Sequence, residues 1–133
     1  MFLLDTNVVS DAHKGVMEPA RWLARADPQA LFLSVVTIGE IERGIEMLRQ
    51  KKNSKATSLQ DWLAGLRRDS AERILPVTEE IAIVWGRLMA GRGRGDADAL
   101  IAATAIVHGL TVATRNVADF ADTGTSVVNP WET

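Results

Sequence analysis

Short apolar runs alternate with longer stretches of helical periodicity along the whole chain, and this alternation constrains the fold more than any other feature. Phe2–Leu4, Ala30–Val36, Arg73–Val77, Leu110–Ala113 and Val127–Val128 are the strand candidates. Their brevity predicts strands covered on both faces. Strands separated by helices cannot join through hairpins, so the pattern implies a parallel sheet with crossover helices, an α/β fold. Pro76 predicts an edge or terminal place for the third strand.

The intervening segments read as helices. Asp5, Thr6 and Asn7 offer N-caps to a helix carrying Val8 and Val9. Pro19 is expected at the first position of a helix with Trp22 and Leu23, which Asp27-Pro28 ends. Thr37 is expected to cap a helix whose apolar stripe is Ile38, Ile41, Ile45 and Leu48. Gly44 inside it should cost about 1 kcal/mol relative to Ala. Beyond Asn53-Ser54, Leu59, Trp62, Leu63 and Leu66 form a second stripe, so these two helices predict a hairpin. Thr78 should cap a helix with Glu79 and Glu80 in its first turn, burying Ile81, Val84, Trp85, Leu88 and Met89. Gly91–Gly95 is a loop. Asp96–His108 is the last helix, with small residues at Ala102, Ala103 and Ala105 for close approach to the sheet and Gly109 to end it. Trp22, Trp62 and Trp85 are assigned to the core.

Composition excludes several classes of function. The 133 residues fit a single domain over 1–133, and 47% hydrophobic content is enough for a core. With no cysteine there is no disulfide scaffold, thiolate metal site or cysteine nucleophile, and His13 and His108 are too few for a histidine-rich metal site. A net charge of −2 means that contact with nucleic acid must come from a local patch. No apolar run approaches the roughly 20 residues that span a bilayer, and Asp5 cuts short the apolar N-terminus, so a cytoplasmic protein without a membrane segment is expected.

In an open parallel sheet, ligands bind beyond the carboxyl ends of the strands. Asp5 follows the first strand, Glu40 opens the helix after the second, and Asn116 and Asp119 follow the strand ending near Ala113. Asp96 and Asp98 open the preceding helix. If these strands are neighbours, the carboxylates meet on one rim, where each raises the pKa of the others. Mg2+ or Mn2+ relieves that repulsion, because both prefer oxygen ligands. Such a site hydrolyses phosphodiesters without a Cys, Ser or His nucleophile. Each acid also has a structural reading. Asp5 caps a helix, Thr37-Ile38-Gly39-Glu40 reads as a capping box, Asp96 or Asp98 serves as an N-cap, and Asp119 is an ordinary loop residue.

Four motifs in order carry a resemblance: Leu4-Asp5-Thr6-Asn7-Val8-Val9-Ser10, Ser34 to Ile45 with Glu40 at its centre, Asp98-Ala99-Leu100-Ile101-Ala102-Ala103-Thr104-Ala105, and His108 to Phe120. Together with the ending Val128-Asn129-Pro130-Trp131, they resemble the PIN-domain ribonucleases, and within them the VapC/FitB-like toxins of type II toxin–antitoxin pairs. The resemblance implies a PIN-like α/β/α sandwich with a central parallel sheet. It implies Mg2+- or Mn2+-dependent endonucleolytic cleavage of RNA, with Asp5, Glu40 and Asp98 matching the family's first three acidic positions. Asn116 stands where many relatives carry an Asp, and in others the acid matches Asp119. Asp5 and Asp98 are the expected direct metal ligands, Thr6, Asn7 and Thr114 are expected to orient carboxylates or a water, and Asp96 extends the rim or caps its helix. The family also implies a homodimer and a cognate antitoxin that lays a helix or tail over the toxin and presents an Arg to the acidic pocket. Arg92, Arg94 and Arg115 flank the acids and are expected to contact RNA, whereas Lys51–Lys55 reads as a solvated hairpin tip. Neither His13 nor His108 is placed for catalysis. Two other functions compete. One is a degenerate PIN module that binds an antitoxin, and DNA through it, without cutting RNA. The other is a Mg2+-dependent phosphatase, for which Asn7 stands where a second Asp is usual.

Overall fold

The computed structural model describes residues 1–91 and 93–132. Among these, eleven regular elements follow one another as β1 (Phe2–Leu4), α1 (Thr6–His13), α2 (Met17–Arg25), β2 (Leu31–Ser34), α3 (Val35–Gln50), α4 (Lys55–Asp69), β3 (Ile74–Leu75), α5 (Glu79–Gly91), α6 (Asp96–His108), β4 (Thr111–Ala113) and β5 (Val127–Val128). The strands form one sheet in the order β3-β2-β1-β4-β5, parallel throughout. Leu3 pairs with Phe32 on one side and Val112 on the other, so β1 is central.

The pleat sorts the core into two layers. Leu3 and Val112 face α6, where they join Ile101, Ala102, Ala105, Leu110 and Phe120. Leu4, Leu33 and Ala113 face the opposite way onto Val8 and Val9, with Trp22, Leu66 and Trp131 packed against them. This is the α/β/α sandwich expected from the sequence. Ala102, Ala103 and Ala105 of α6 are buried, as close approach requires. A third cluster, Ile41, Ile45, Ala56 and Leu63, closes the α3–α4 hairpin. Among the described residues, no helix is long and apolar enough to cross a membrane.

Several expectations are corrected. The second strand does not run from Ala30 to Val36: it ends at Ser34, whose Oγ accepts from the Val36 N–H and caps α3. Val35 and Val36 favour a strand intrinsically, but a capping serine overrides that preference. Thr37 is therefore an interior helical residue, and Glu40 lies too far along α3 for the capping box with Thr37. Pro19 is the third residue of α2 rather than its first, still within the turn where no N–H is owed. Neither Asp96 nor Asp98 is an N-cap, since Gly95 holds that position. The strand expected from Leu110 begins at Thr111. On α5 only Ile81 is fully buried, while Val84, Trp85, Leu88 and Met89 are half-buried. Trp22 and Trp62 are half-buried too: Trp22 meets Phe2 edge-on, and Trp62 stacks on His13 at 4.2 Å, which makes His13 a brace between α1 and α4. Thr78 does cap α5, accepting from the Ile81 N–H at 3.2 Å, and β3 is indeed an edge strand.

Two glycines separate the reasons for having one. Gly109 ends α6 at φ 67°, in the left-handed region, whereas a Cβ on Gly44 of α3 would meet nothing within 4 Å. Gly109→Ala should lower stability by about 1 kcal/mol and Gly44→Ala should raise it by about the same. Urea unfolding midpoints check both, and a lowered midpoint for Gly44→Ala would contradict this account of α3.

Candidate active site

The chain leaves β1 toward β2 on one side and returns after α6 to β4 on the other, so the carboxyl ends of β1 and β4 border a topological switch point. Asp5 sits there. Its N–H donates to the Ala113 carbonyl at 2.9 Å, which carries the ladder one residue past β1. Its side chain caps α1 by accepting from the Thr6 N–H at Oδ1 (2.8 Å), while Oδ2 accepts from Thr114 Oγ1 (2.8 Å) and Asn7 Nδ2 (3.3 Å). Thr114 Oγ1 in turn accepts from the Asn116 N–H at 3.0 Å. Asp5 is thus a helix cap and a cleft carboxylate at once, and the two sequence readings of it were not alternatives.

The other acids gather around it. Glu40, half-buried on α3, accepts from Thr6 Oγ1 in a short hydrogen bond, and Thr6 Oγ1 lies 3.4 Å from Thr37 Oγ1. Burial pushes the Asp5 carboxyl above the usual range despite the hydrogen bonds from Thr114 and Thr6, and the charges of Glu40 and Asp119 push it further. Burial also raises Asp98, together with the charges of Asp5, Asp119 and Glu40, to about 6. The charges of Glu40 and Asp119, from two further stretches of chain, therefore act on both Asp5 and Asp98. Asp96 is exposed and is not among the charges acting on either of them. Asn116 is exposed and holds the turn after β4, its carbonyl accepting from the Asp119 N–H at 3.0 Å, so that it positions Asp119 through the backbone.

Asp98 and Asp119 line a cavity of about 250 Å³ with Gly93, Gly95, Arg94 and Asp122. Arg94 is turned inward, 11% exposed, with Nη1 3.2 Å from Asp122 Oδ1. Arg115 is exposed, and its guanidinium lies over the Trp131 ring. Arg92 lies outside the described residues. A second, more apolar cavity of about 230 Å³ runs from Glu40 along the α3–α4 hairpin past Ile41 and Ile45 to His13 and Trp62. Asp122, the His13–Trp62 stack and the contact of Thr37 with Thr6 escaped the sequence reading, since no local pattern announces contacts between distant stretches.

The donor set fits a hard divalent cation. A carboxylate has about four lone-pair sites, and three hydrogen bonds to Asp5 leave one on Oδ1. Among the described residues, no group of three His, Cys, Asp or Glu side chains is placed to hold a metal ion by itself. Mg2+ needs only one or two direct carboxylates and keeps several waters.

Comparison with known proteins agrees with the geometry. Residues 2–125 match the PIN domain family. VapC ribonuclease Y4jK of Sinorhizobium fredii is 36% identical over 142 residues, covering 99% of both chains. Toxin FitB of Neisseria gonorrhoeae is 34% identical, covering 98% of this chain and 99% of its own. The crystal structure of FitAcB from that organism superposes with a TM-score of 0.90 at 33% identity, covering 100% of both chains. A toxin–antitoxin complex from Klebsiella pneumoniae gives 0.72 at 27%, again covering 100% of both chains.

The raised Asp98 carboxyl has a consequence for metal-free stability. Folded Asp98 keeps its proton up to about pH 6, whereas the unfolded chain releases it near the ordinary value of 3.8. The native state binds more protons in that window, so stability falls as pH rises through it. In chelator, Asp98→Asn should be about 1 kcal/mol more stable than wild type near pH ~7 after solvent screening, with the advantage vanishing by pH ~4. Thermal melts at several pH values check this, and an advantage independent of pH would contradict it.

Proposed function

The chain belongs to the PIN-domain family, in the branch of VapC and FitB, and from that premise we propose that it is the toxin of a type II toxin–antitoxin pair. In this reading it is one domain over residues 1–133, cytoplasmic and homodimeric, that hydrolyses RNA endonucleolytically with Mg2+ or Mn2+. The observation that carries the reading is the gathering of acids beyond β1 and β4: Asp5 held by Thr6, Asn7 and Thr114, Glu40 tied to the same Thr6, and Asp98 and Asp119 on one cavity wall. Burial and the charges of Glu40 and Asp119 raise both Asp5 and Asp98. When bound, the divalent ion supplies Lewis-acid chemistry, offsetting carboxylate and phosphate charge and acidifying water.

The chain's own residues divide the remaining work. Asp5 and Asp98 hold the ion. Thr114, Asn7 and the Thr6 N–H hold Asp5, fixing its carboxylate plane with three donors. Glu40, kept at the rim by Thr6 Oγ1, orients the attacking water and takes up its proton. Asp119 lies on the cavity wall beside Asp98 and completes the acidic set, while Asn116 sets the turn that presents it. Asp96 remains at the outer edge of α6. Arg94 and Arg115 offset the acidic field on the approach of an RNA backbone, and Arg92 is assigned the same role from its sequence position. The apolar cavity between Glu40 and Trp62 is the seat for the antitoxin, whose apolar side chains would fill it and whose Arg would reach the acids.

The purified chain should cleave single-stranded RNA in Mg2+ or Mn2+ and stop on chelation. Asp5→Asn should reduce kcat by at least about a hundredfold, the several kcal/mol that a positioned ion contributes. Sequencing of new RNA ends checks this. Wild-type protein that binds RNA or an antitoxin but never cuts would instead identify a degenerate binding module.

A further inference from the structure

Arg115 differs from the other cation beside the acids. Arg94 is inward and paired with Asp122, whereas Arg115 is exposed and, among the described residues, has no carboxylate within salt-bridge range. Its place is nevertheless fixed at both ends. The Arg115 N–H donates to Asn7 Oδ1 at 3.3 Å, and the Nδ2 of the same carboxamide donates to Asp5 Oδ2 at 3.3 Å. One flat amide thus ties the Arg115 backbone to the carboxylate at the centre of the site. At the other end, Arg115 Cζ lies 5.5 Å from the centroid of the Trp131 ring. Trp131 is half-buried and packs against the cluster of Leu4, Val8, Val9, Leu33 and Ala113, the layer that also holds β1 and β4. The Trp131 N–H donates to Asn129 Oδ1 at 2.9 Å, which fixes the turn carrying the ring.

A free arginine side chain loses rotamer entropy when it is ordered. A guanidinium already lying on an anchored indole has lost much of that freedom before any ligand arrives. The planar N–H fork of a guanidinium suits phosphate oxygens bidentately, and Arg115 is exposed to receive them. We infer that Arg115, held over Trp131, is a preformed subsite for the nucleotide next to the scissile phosphate, gripping its phosphate. Trp131 is a positioning residue that acts through Arg115. The inference rests on the ribonuclease reading and deepens it, since it assigns one phosphate contact of the substrate to a named side chain and its support.

The test uses the full chain and labelled single-stranded RNA of random sequence, with binding measured in chelator across a salt series and cleavage measured in Mn2+. Arg115→Gln should weaken binding roughly tenfold and reduce the salt slope by about 0.7, the loss of one phosphate contact on a single strand. Trp131→Leu should weaken binding roughly threefold to tenfold, and Trp131→Phe, which keeps an aromatic face, should recover most of it. The larger part of each loss should fall on KM. Because Trp131 acts through Arg115, the double variant should bind no worse than Arg115→Gln alone. Multiplying losses in the double variant, or a lower Tm for Trp131→Leu with unchanged RNA affinity and slope, would make the stack only a staple for the C-terminal turn and overturn the inference. Should Trp131→Leu fail to fold, Trp131→Phe and Arg115→Gln still decide through affinity and slope. Weakened antitoxin binding with intact RNA binding would also overturn it. A wild-type chain that neither binds nor cuts RNA would sink the ribonuclease reading itself, whereas wild-type cleavage with unaltered variants would sink only the subsite.

Discussion

A carboxylate buried at the end of the central strand is the constraint around which the rest of the molecule is arranged. Asp5 is 5% exposed, and its charge is held by two hydroxyl or amide donors and one backbone N–H rather than by a basic side chain. Hydrogen bonds alone do not outweigh its loss of hydration, since its carboxyl remains above the usual range. Placing Glu40 and Asp119 close enough to raise both it and Asp98 adds cost to the metal-free fold. In the proposed reading, a chain that keeps such a cluster trades folding stability for a cation site.

The scaffold that carries this cost is rigid where rigidity matters. Leu3 and Leu4 bury β1 on both faces, so the strand cannot shift register without exposing one layer or the other. Asp5, Thr114 and Asp98 then emerge from the ends of β1, β4 and the start of α6, three elements locked by that core. The alanines of α6 let the helix lie close to the sheet, which brings Asp98 in its first turn near the switch point. The polar donors around Asp5 come from residues adjacent to these fixed ends, so the geometry is preorganised with little loop contribution.

Much of this was legible in the sequence because it follows from local rules. The alternation of apolar runs and helical stripes determines a parallel sheet, and acids placed after strands then fall at its carboxyl edge. Element boundaries were less legible where two local preferences compete. Val35 and Val36 favour a strand, but Ser34 caps the helix that takes them. Thr37 looks like a cap, yet one turn deeper its hydroxyl lies against Thr6 instead. The roles of Asp119 and Asn116 were undecided in the sequence because the short turn after β4 has no periodic signal, and its backbone hydrogen bonds set which side chain faces the cavity. Arg94 and Arg115 read alike as charges beside acids. Their different surroundings, Asp122 for one and Trp131 for the other, are contacts between distant segments that no local pattern encodes.

The central claim is that these carboxylates share one divalent ion, and calorimetric titration of Mn2+ in buffers of different ionisation heat tests it most directly. Metal binding to protonated acids must release protons. The account predicts saturable binding with proton release that is largest below the Asp98 value of about 6 and fades above it, lost together with binding in Asp98→Asn. Saturable binding with no proton release at any pH, or binding unaffected by that substitution, would contradict it.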